Sequence, residues 1–364
     1  VTSAHGFSGS YAPEDVVFLL QQIGMEFTDA RTKERLLQSG ERHYSELLSP
    51  EYDPSPVYLD AYLAALDANA LRVARGVVAL ARRVSARLKG RIRLVSLARA
   101  GTPVGVLLRR TLVQHFRRDA EHFSISIIAG RGIDYRALDF LRGRTDFEDG
   151  QVVFVDGWTG KGVIGRSLRR YIAEYNAARG ARLDPTLHVL TDLCGSTEAA
   201  ATSDDYLIPS CLLGATVNGL VSRSILNDDV IASGGFHGCR YFPEWSDRDQ
   251  SRSFIEAVMA HVNPQLGADE AAVQRSLANE DIKATAALER LRMRFDHPDT
   301  ALLKPGLGEA TRALLRRGAA RVLVRDPHDE DTKPLLLLAR EKGVEVHGDR
   351  ALPWRAVTLI GKIS

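Results

Sequence analysis

The sequence predicts an α/β protein: a parallel-sheet core with helices on both faces over about residues 90–225, and a small second α/β unit beginning near residue 300. Three observations lead there. Short apolar runs alternate with helix-period segments from residue 91 onward. The runs are nearly continuous in apolar residues, as strands covered on both faces are. The last stretch repeats the same strand and helix alternation on a smaller scale. Residues 1–295 are therefore read as one domain with an N-terminal helical extension, and 296–364 as a second.

The elements follow in order. Residues 13–27 open with a proline and two acids, which suits a helix start. Pro50, Pro54 and Pro56 break the pattern, and residues 57–89 then read as one or two helices ending at Gly90. Strands are expected at 91–98, 123–130, 151–157 and 186–195, with helices at 103–118 and 162–180 between them. Residues 208–226 read as a helix or a buried helix–strand piece, 234–245 as turns, and 254–262 and 265–295 as helical. In the last unit, helices at 306–320 and 333–343 alternate with strands at 321–326 and 344–348.

Composition narrows the class. A hydrophobic fraction of 45% and a charged fraction of 26% are ordinary for a globular chain and exclude a largely disordered one. No run of 18 apolar residues is present, and no basic segment precedes an apolar one at the start, so neither a membrane span nor a signal peptide is expected. Cys194, Cys211 and Cys239 fit neither a zinc pattern nor a disulfide framework, and a cytoplasmic setting is the simplest expectation. The 48 basic and 46 acidic residues nearly balance, but residues 301–364 hold 12 basic against 8 acidic ones, which concentrates positive charge in the second unit.

Open parallel sheets bind ligands beyond the C-terminal ends of their strands. The clearest such end is the strand 151–157, which delivers Asp156. Gly157, Gly160 and Gly162 follow, with Trp158 and Thr159 between them, and Lys161 adds a positive charge ahead of the next helix. Backbone N–H groups, a hydroxyl and an ammonium in such a turn suit a phosphate. A plain strand–turn–helix connection with a surface lysine is the alternative. A second strand end carries Arg131, Gly132 and Asp134, suited to pyrophosphate and a hydroxyl or metal-bound water, or to a salt bridge in a turn.

The turn at Asp156 and Thr159-Gly160-Lys161-Gly162 resembles that of type I phosphoribosyltransferases, although Gly157 stands where that family has a second acid and the turn is shorter. The run Ala98-Arg99-Ala100-Gly101-Thr102 resembles the same family's pyrophosphate loop. Residues 191–226 and 236–245 resemble a bacterial tellurite-resistance and stress-associated phosphoribosyltransferase-like family, also labelled the cysteine protease StiP family. Its members end in a Pelota/L7Ae-type RNA-binding domain, which residues 302–326 are similar to. The resemblance implies a phosphoribosyltransferase-like sheet, phosphoribosyl pyrophosphate as substrate or ligand, and Mg²⁺ on the diphosphate. Arg99, Arg131, Asp156 and Lys161 would be catalytic, and the loops 99–102 and 157–162 would converge on one anionic site. RNA would meet Lys304, Gly308, Glu309, Thr311, Arg312 and Arg316.

Two other readings compete. One is a non-catalytic, nucleotide-sensing RNA-binding regulator. The other is a cysteine protease or hydrolase. Its raw material is Cys194, two residues after Asp192, and His237, two residues before Cys239. A thiol hydrolase needs a thiolate with a base nearby, and no segment matches a local cysteine-protease signature.

Overall fold

The computed structural model describes residues 6–265, 284–296 and 299–361. Along the chain come β1 (Val17–Phe18), β2 (Gln21–Gln22), α1 (Ala30–Gln38) and α2 (Pro56–Arg87). The sheet core follows as β3 (Ile92–Ala98), α3 (Gly101–Gln114), β4 (Ala120–Ile128), β5 (Gly132–Ile133), α4 (Tyr135–Arg142), β6 (Val152–Thr159), α5 (Val163–Arg179), β7 (Leu187–Asp192) and β8 (Ala200–Thr202). After β9 (Gly238–Cys239), α6 (Ser251–Met259) and α7 (284–294), the C-terminal unit comprises β10 (Leu303–Pro305), α8 (Leu307–Arg316), β11 (Ala319–Val324), α9 (Lys333–Glu341), β12 (Glu345–Gly348) and β13 (Ala356–Ile360).

The main sheet runs β1-β4-β3-β6-β7-β8, and every neighbouring pair on that path is parallel. Strand period decides which face each residue covers. Ile92 and Leu94 of β3 and Val153 and Val155 of β6 pack with α2 and α3. Val95, Leu97 and Phe154 pack with Leu138 of α4 and Leu168 and Ile172 of α5. The α/β expectation with a parallel core thus holds, and a small second α/β sheet follows it, ordered β10-β13-β11-β12. The long α2 begins at the Ser55 cap with Pro56 in its first turn.

Two expectations fail. Residues 13–27 form no helix. Phe18, Leu19 and Leu20 are all buried in succession, and the segment lies extended, with β1 on β4 and β2 on β9. Sheet pairing overrides a helix-compatible start. The region 208–226 holds two short 3₁₀ turns, Pro209–Cys211 and Ala215–Val217, rather than a regular helix. Of the helix expected over 265–295, residues 284–294 are helical, and 266–283 lie outside the described residues.

The two units share a core. Leu307, Ala310 and Leu314 of α8 and Leu335 and Leu338 of α9 belong to the same buried cluster as α2 and Val155. Polar contacts pin the seam. Asp205 accepts from the backbone N–H groups of Leu307 and Arg355 at 2.8 and 2.7 Å. Asp331 accepts from Asn69 at 3.0 Å and pairs with Arg72 at 2.9 Å.

Candidate functional site

The ends of β3 and β6 meet as the sequence leads one to expect. A side chain at Gly101 would stand 2.5 Å from the Val155 carbonyl oxygen, so only glycine lets the start of α3 reach β6. Arg99, Ala100 and Asp156 line one cavity of about 560 Å³. Arg99 is buried and its guanidinium donates to Glu51 at 2.6 Å, while Glu51 also accepts the Ala215 N–H at 3.0 Å. Burial pushes the Asp156 carboxyl up to about 7, against the Gly157 N–H that it accepts at 2.7 Å. Thr102 turns away and bonds Ser124 at 2.8 Å, fastening α3 to β4.

The rest of the glycine turn does not face that cavity as a free cradle. Gly157 packs against the Ala100 carbonyl. The Gly162 N–H donates to Thr159 Oγ1 at 2.9 Å, and the Gly160 N–H donates to Glu309 at 3.2 Å. Lys161 donates to the carbonyls of Thr300 and Ala301 at 2.9 and 3.3 Å. The donors expected to hold phosphate are therefore committed within the protein.

Lys161 and Gly160 instead line a second cavity of about 520 Å³, together with Cys194. Cys194 follows the C-terminal end of β7. Its S–H donates to Asp192 Oδ1 at 3.2 Å, and its backbone N–H donates to the same oxygen at 3.0 Å. The other Asp192 oxygen accepts from Ser196 Oγ at 3.1 Å and the Thr197 N–H at 2.8 Å. Burial, then the neighbouring Asp192 charge, pushes the Cys194 thiol up to about 12. Lys161 is held down to about 8, chiefly by burial and then by Lys304.

A third cavity, of about 700 Å³, holds Arg131, Gly132, Asp134 and His237. Arg131 pairs with Glu46 at 2.7 Å. Asp134 caps α4 by accepting from the backbone N–H groups of Arg136 and Ala137, and it also accepts the His237 N–H at 2.6 Å. The His237 ring bonds Ser126 Oγ at 2.8 Å. Arg131 and Asp134 thus serve a salt bridge and a cap, and neither lines the cavity of Arg99.

The residues expected to meet RNA face the first unit. Gly308 lies against the Trp158 ring, and the Arg312 guanidinium stacks over that ring at 5.3 Å. Glu309 receives the Gly160 N–H, Thr311 is buried, and Lys304 lines the Cys194 cavity, where it donates to the Ala301 carbonyl at 2.7 Å. Arg312 and Arg316 enter the Arg99 cavity. Lys33 and Arg223, neither singled out in the sequence, join them there.

Comparison with known proteins then identifies the chain. Residues 9–259 match the family model described as tellurite-like stress resistance cysteine protease StiP. The chain belongs to the StiP family. The cysteine protease StiP of Acinetobacter baylyi is 39% identical over 371 residues, covering 98% of this chain and 95% of that protein. Residues 282–362 match the PELOTA RNA binding domain, so this StiP-family chain carries a Pelota-like RNA-binding domain at its C-terminal side. No solved structure matches.

These matches correct the phosphoribosyltransferase reading, since neither matched family model is one. Phosphoribosyl pyrophosphate and Mg²⁺ fall with it. Among the described residues no group of three or more His, Cys, Asp or Glu side chains could hold a metal ion. The physical reasons are local: Gly157 stands where the resemblance calls for a second acid beside Asp156, Asp134 is spent on a helix cap, and the turn's donors already have acceptors. Among the described residues no helix is long and apolar enough to cross a membrane.

Proposed function

We propose that this StiP-family chain is a thiol-dependent hydrolase of peptide bonds, with Cys194 as the nucleophile. One observation carries the assignment. Cys194 lines a cavity at the C-terminal end of a parallel strand, the ligand side of such a sheet, whereas Cys211 and Cys239 have no exposed surface. The name of the Acinetobacter baylyi relative supports the reaction class.

The neighbours suit the chemistry. As sulfur bonds to the substrate carbonyl carbon, the S–H proton passes to Asp192 Oδ1, which already accepts it. That proton then goes to the departing amine, and water hydrolyses the thioester. Lys161 and Lys304 line the same cavity and place positive charge near the carbonyl oxygen as it gains electrons. Burial and the Asp192 charge keep the resting thiol protonated and oppose the thiolate, so the proton must leave as sulfur attacks.

The test is hydrolysis of a quenched fluorescent peptide library by the full chain. Cys194→Ala is expected to lower the rate by about a hundredfold or more, with Cys211→Ala and Cys239→Ala staying within severalfold of the parent after folding is verified. Retained hydrolysis in Cys194→Ala would remove this residue from the reaction.

A further inference from the structure

A peptide cleaved at Cys194 must lie against the walls of that cavity, and its rim carries two features that packing within the chain leaves unexplained. The first is apolar. Val163, at the start of α5, is 43% exposed, and it lines the cavity together with Ile164 and with Leu288 of α7. The second is charged. Arg166, also exposed and also lining the cavity, has no carboxylate within ion-pair distance among the described residues. A side chain at Gly162 would stand 2.9 Å from Arg166 Nη1 and 3.1 Å from Ser196 Oγ, so this glycine lets the guanidinium lie close to Ser196. Ser196 donates to the Asp192 carboxylate that holds the Cys194 thiol. Arg169, on the next turn, donates to the Ser196 carbonyl at 2.9 Å and has no carboxylate partner either.

The other charges lining the cavity are answered. Lys161 and Lys304 donate to backbone carbonyls, and Glu309 favours the charged form of both. Glu289 pairs with Arg292 at 2.7 Å. A cation close to the N-terminal end of a helix opposes the helix dipole, and the first turn of α5 has no acid to offset it. Arg166 also adds to the repulsion on Lys161, behind the larger effects of burial and Lys304. Neither Val163 nor Arg166 therefore stabilises the free chain where it stands, and both suit one ligand. An apolar side chain would take the Val163 surface out of water, and a carboxylate would meet the fork of the guanidinium.

We infer that the Cys194 cavity selects peptides in which a bulky apolar residue is flanked by aspartate or glutamate. The apolar side chain seats against Val163, Ile164 and Leu288, and the acidic one pairs with Arg166. This selection rests on the reading of Cys194 as the nucleophile, and it makes Arg166 the residue that sets specificity. Arg166 acts on the substrate's side chain and takes no part in moving the proton or in forming the thioester.

The experiment uses the full chain and fluorescent peptides blocked at both ends, alike except that one leucine is flanked by glutamate, glutamine or lysine. Cleavage is followed in the parent. Binding is followed by fluorescence anisotropy in Cys194→Ala, which needs no turnover. The glutamate peptide should lead in kcat/KM and in affinity, by about threefold to fivefold over glutamine as an exposed ion pair allows, and the lead should shrink in high salt. Lysine should come last. Arg166→Glu, in the parent and in Cys194→Ala, should reverse the order and put lysine first, an outcome that a merely structural arginine cannot produce. Its thermal midpoint should match the parent's, because the residue is exposed. Serine in place of leucine should weaken binding severalfold. Equal affinity for the three peptides, an order that Arg166→Glu leaves unchanged, or no loss with serine overturns the inference. Full hydrolysis by Cys194→Ala overturns the nucleophile instead, whatever the order of binding.

Discussion

Two cavities lie along the seam between the units, and they are finished differently. Around Cys194 the polar groups beneath the surface have partners. Asp192 accepts four hydrogens, Lys161 serves two carbonyls, and the Gly160 N–H ends on Glu309. Among the described residues, the guanidiniums of Arg312 and Arg316 around Asp156 lack carboxylate partners within ion-pair distance, and two buried Nε atoms have no acceptor. Polar satisfaction is a free-energy statement. The first cavity is stable as it stands and must be disturbed to react. The second is destabilised as it stands.

The largest effect expected is on the wall the cavities share. Leu314 is 1% exposed and holds α8 to the common core, while α8 gives Arg312 and Arg316 to one cavity and Glu309 to the other. Leu314→Ala should destabilise the chain by about 2–5 kcal/mol. Denaturant unfolding followed by two probes should still show one transition. Separate melting of the C-terminal sheet would break the comparison, because the cavities would then belong to separable bodies.

Next comes Asp156. Burial raises its carboxyl to about 7 from an ordinary 3.8, so between those values the folded chain holds a proton that the unfolded chain has released. Stability therefore falls as pH rises through that window, and the whole cost is present above pH 7. Asp156→Asn removes a destabilisation of at most about 4 kcal/mol. Its thermal midpoint should gain on the parent from pH 5 to pH 8. A difference that stays flat with pH would mean that Arg312 already neutralises Asp156.

The smallest effect concerns the thiol. Raised to about 12, Cys194 holds little thiolate at pH 8, although each thiolate is more nucleophilic. Iodoacetamide should label it roughly a hundredfold more slowly than a free thiol of ordinary acidity. Rapid labelling followed by mass spectrometry would show a cavity primed in advance rather than one completed and at rest.

Much of the scaffold was legible because burial on both faces writes a strand as a mostly apolar run, even where Arg93, Ser96, Ser124 and Ser126 interrupt it. That is why β3, β4, β6 and β7 appear in the sequence where the structure has them. The long α2 was legible for the opposite reason, its repeat of buried positions one helical turn apart. β13 was not read, although it sits between β10 and β11, because a five-residue segment with four apolar residues near the end of the chain announces no partner. Within the site, Arg99 and Asp156 were visible as polar residues at strand ends. Lys33 and Arg223 were not, since only long-range packing brings them to the same cavity. The basic face of α8 was visible too, but not its direction. A charged helix face ordinarily meets solvent, and here Gly308 and Trp158 let it turn inward.

The continuous core has a consequence for synthesis. The face of α2 that meets α9, and the buried turn Pro209–Cys211 that meets α8, are made well before the helices that cover them. At 5–20 residues per second the ribosome needs roughly ten seconds to pass from that turn to the end of α9. During that interval the nascent chain shows an apolar surface that its own sequence covers only later. A chain cut short before residue 307 would show it permanently, and Leu307, Ala310 and Leu314 mark the apolar cover it would lack.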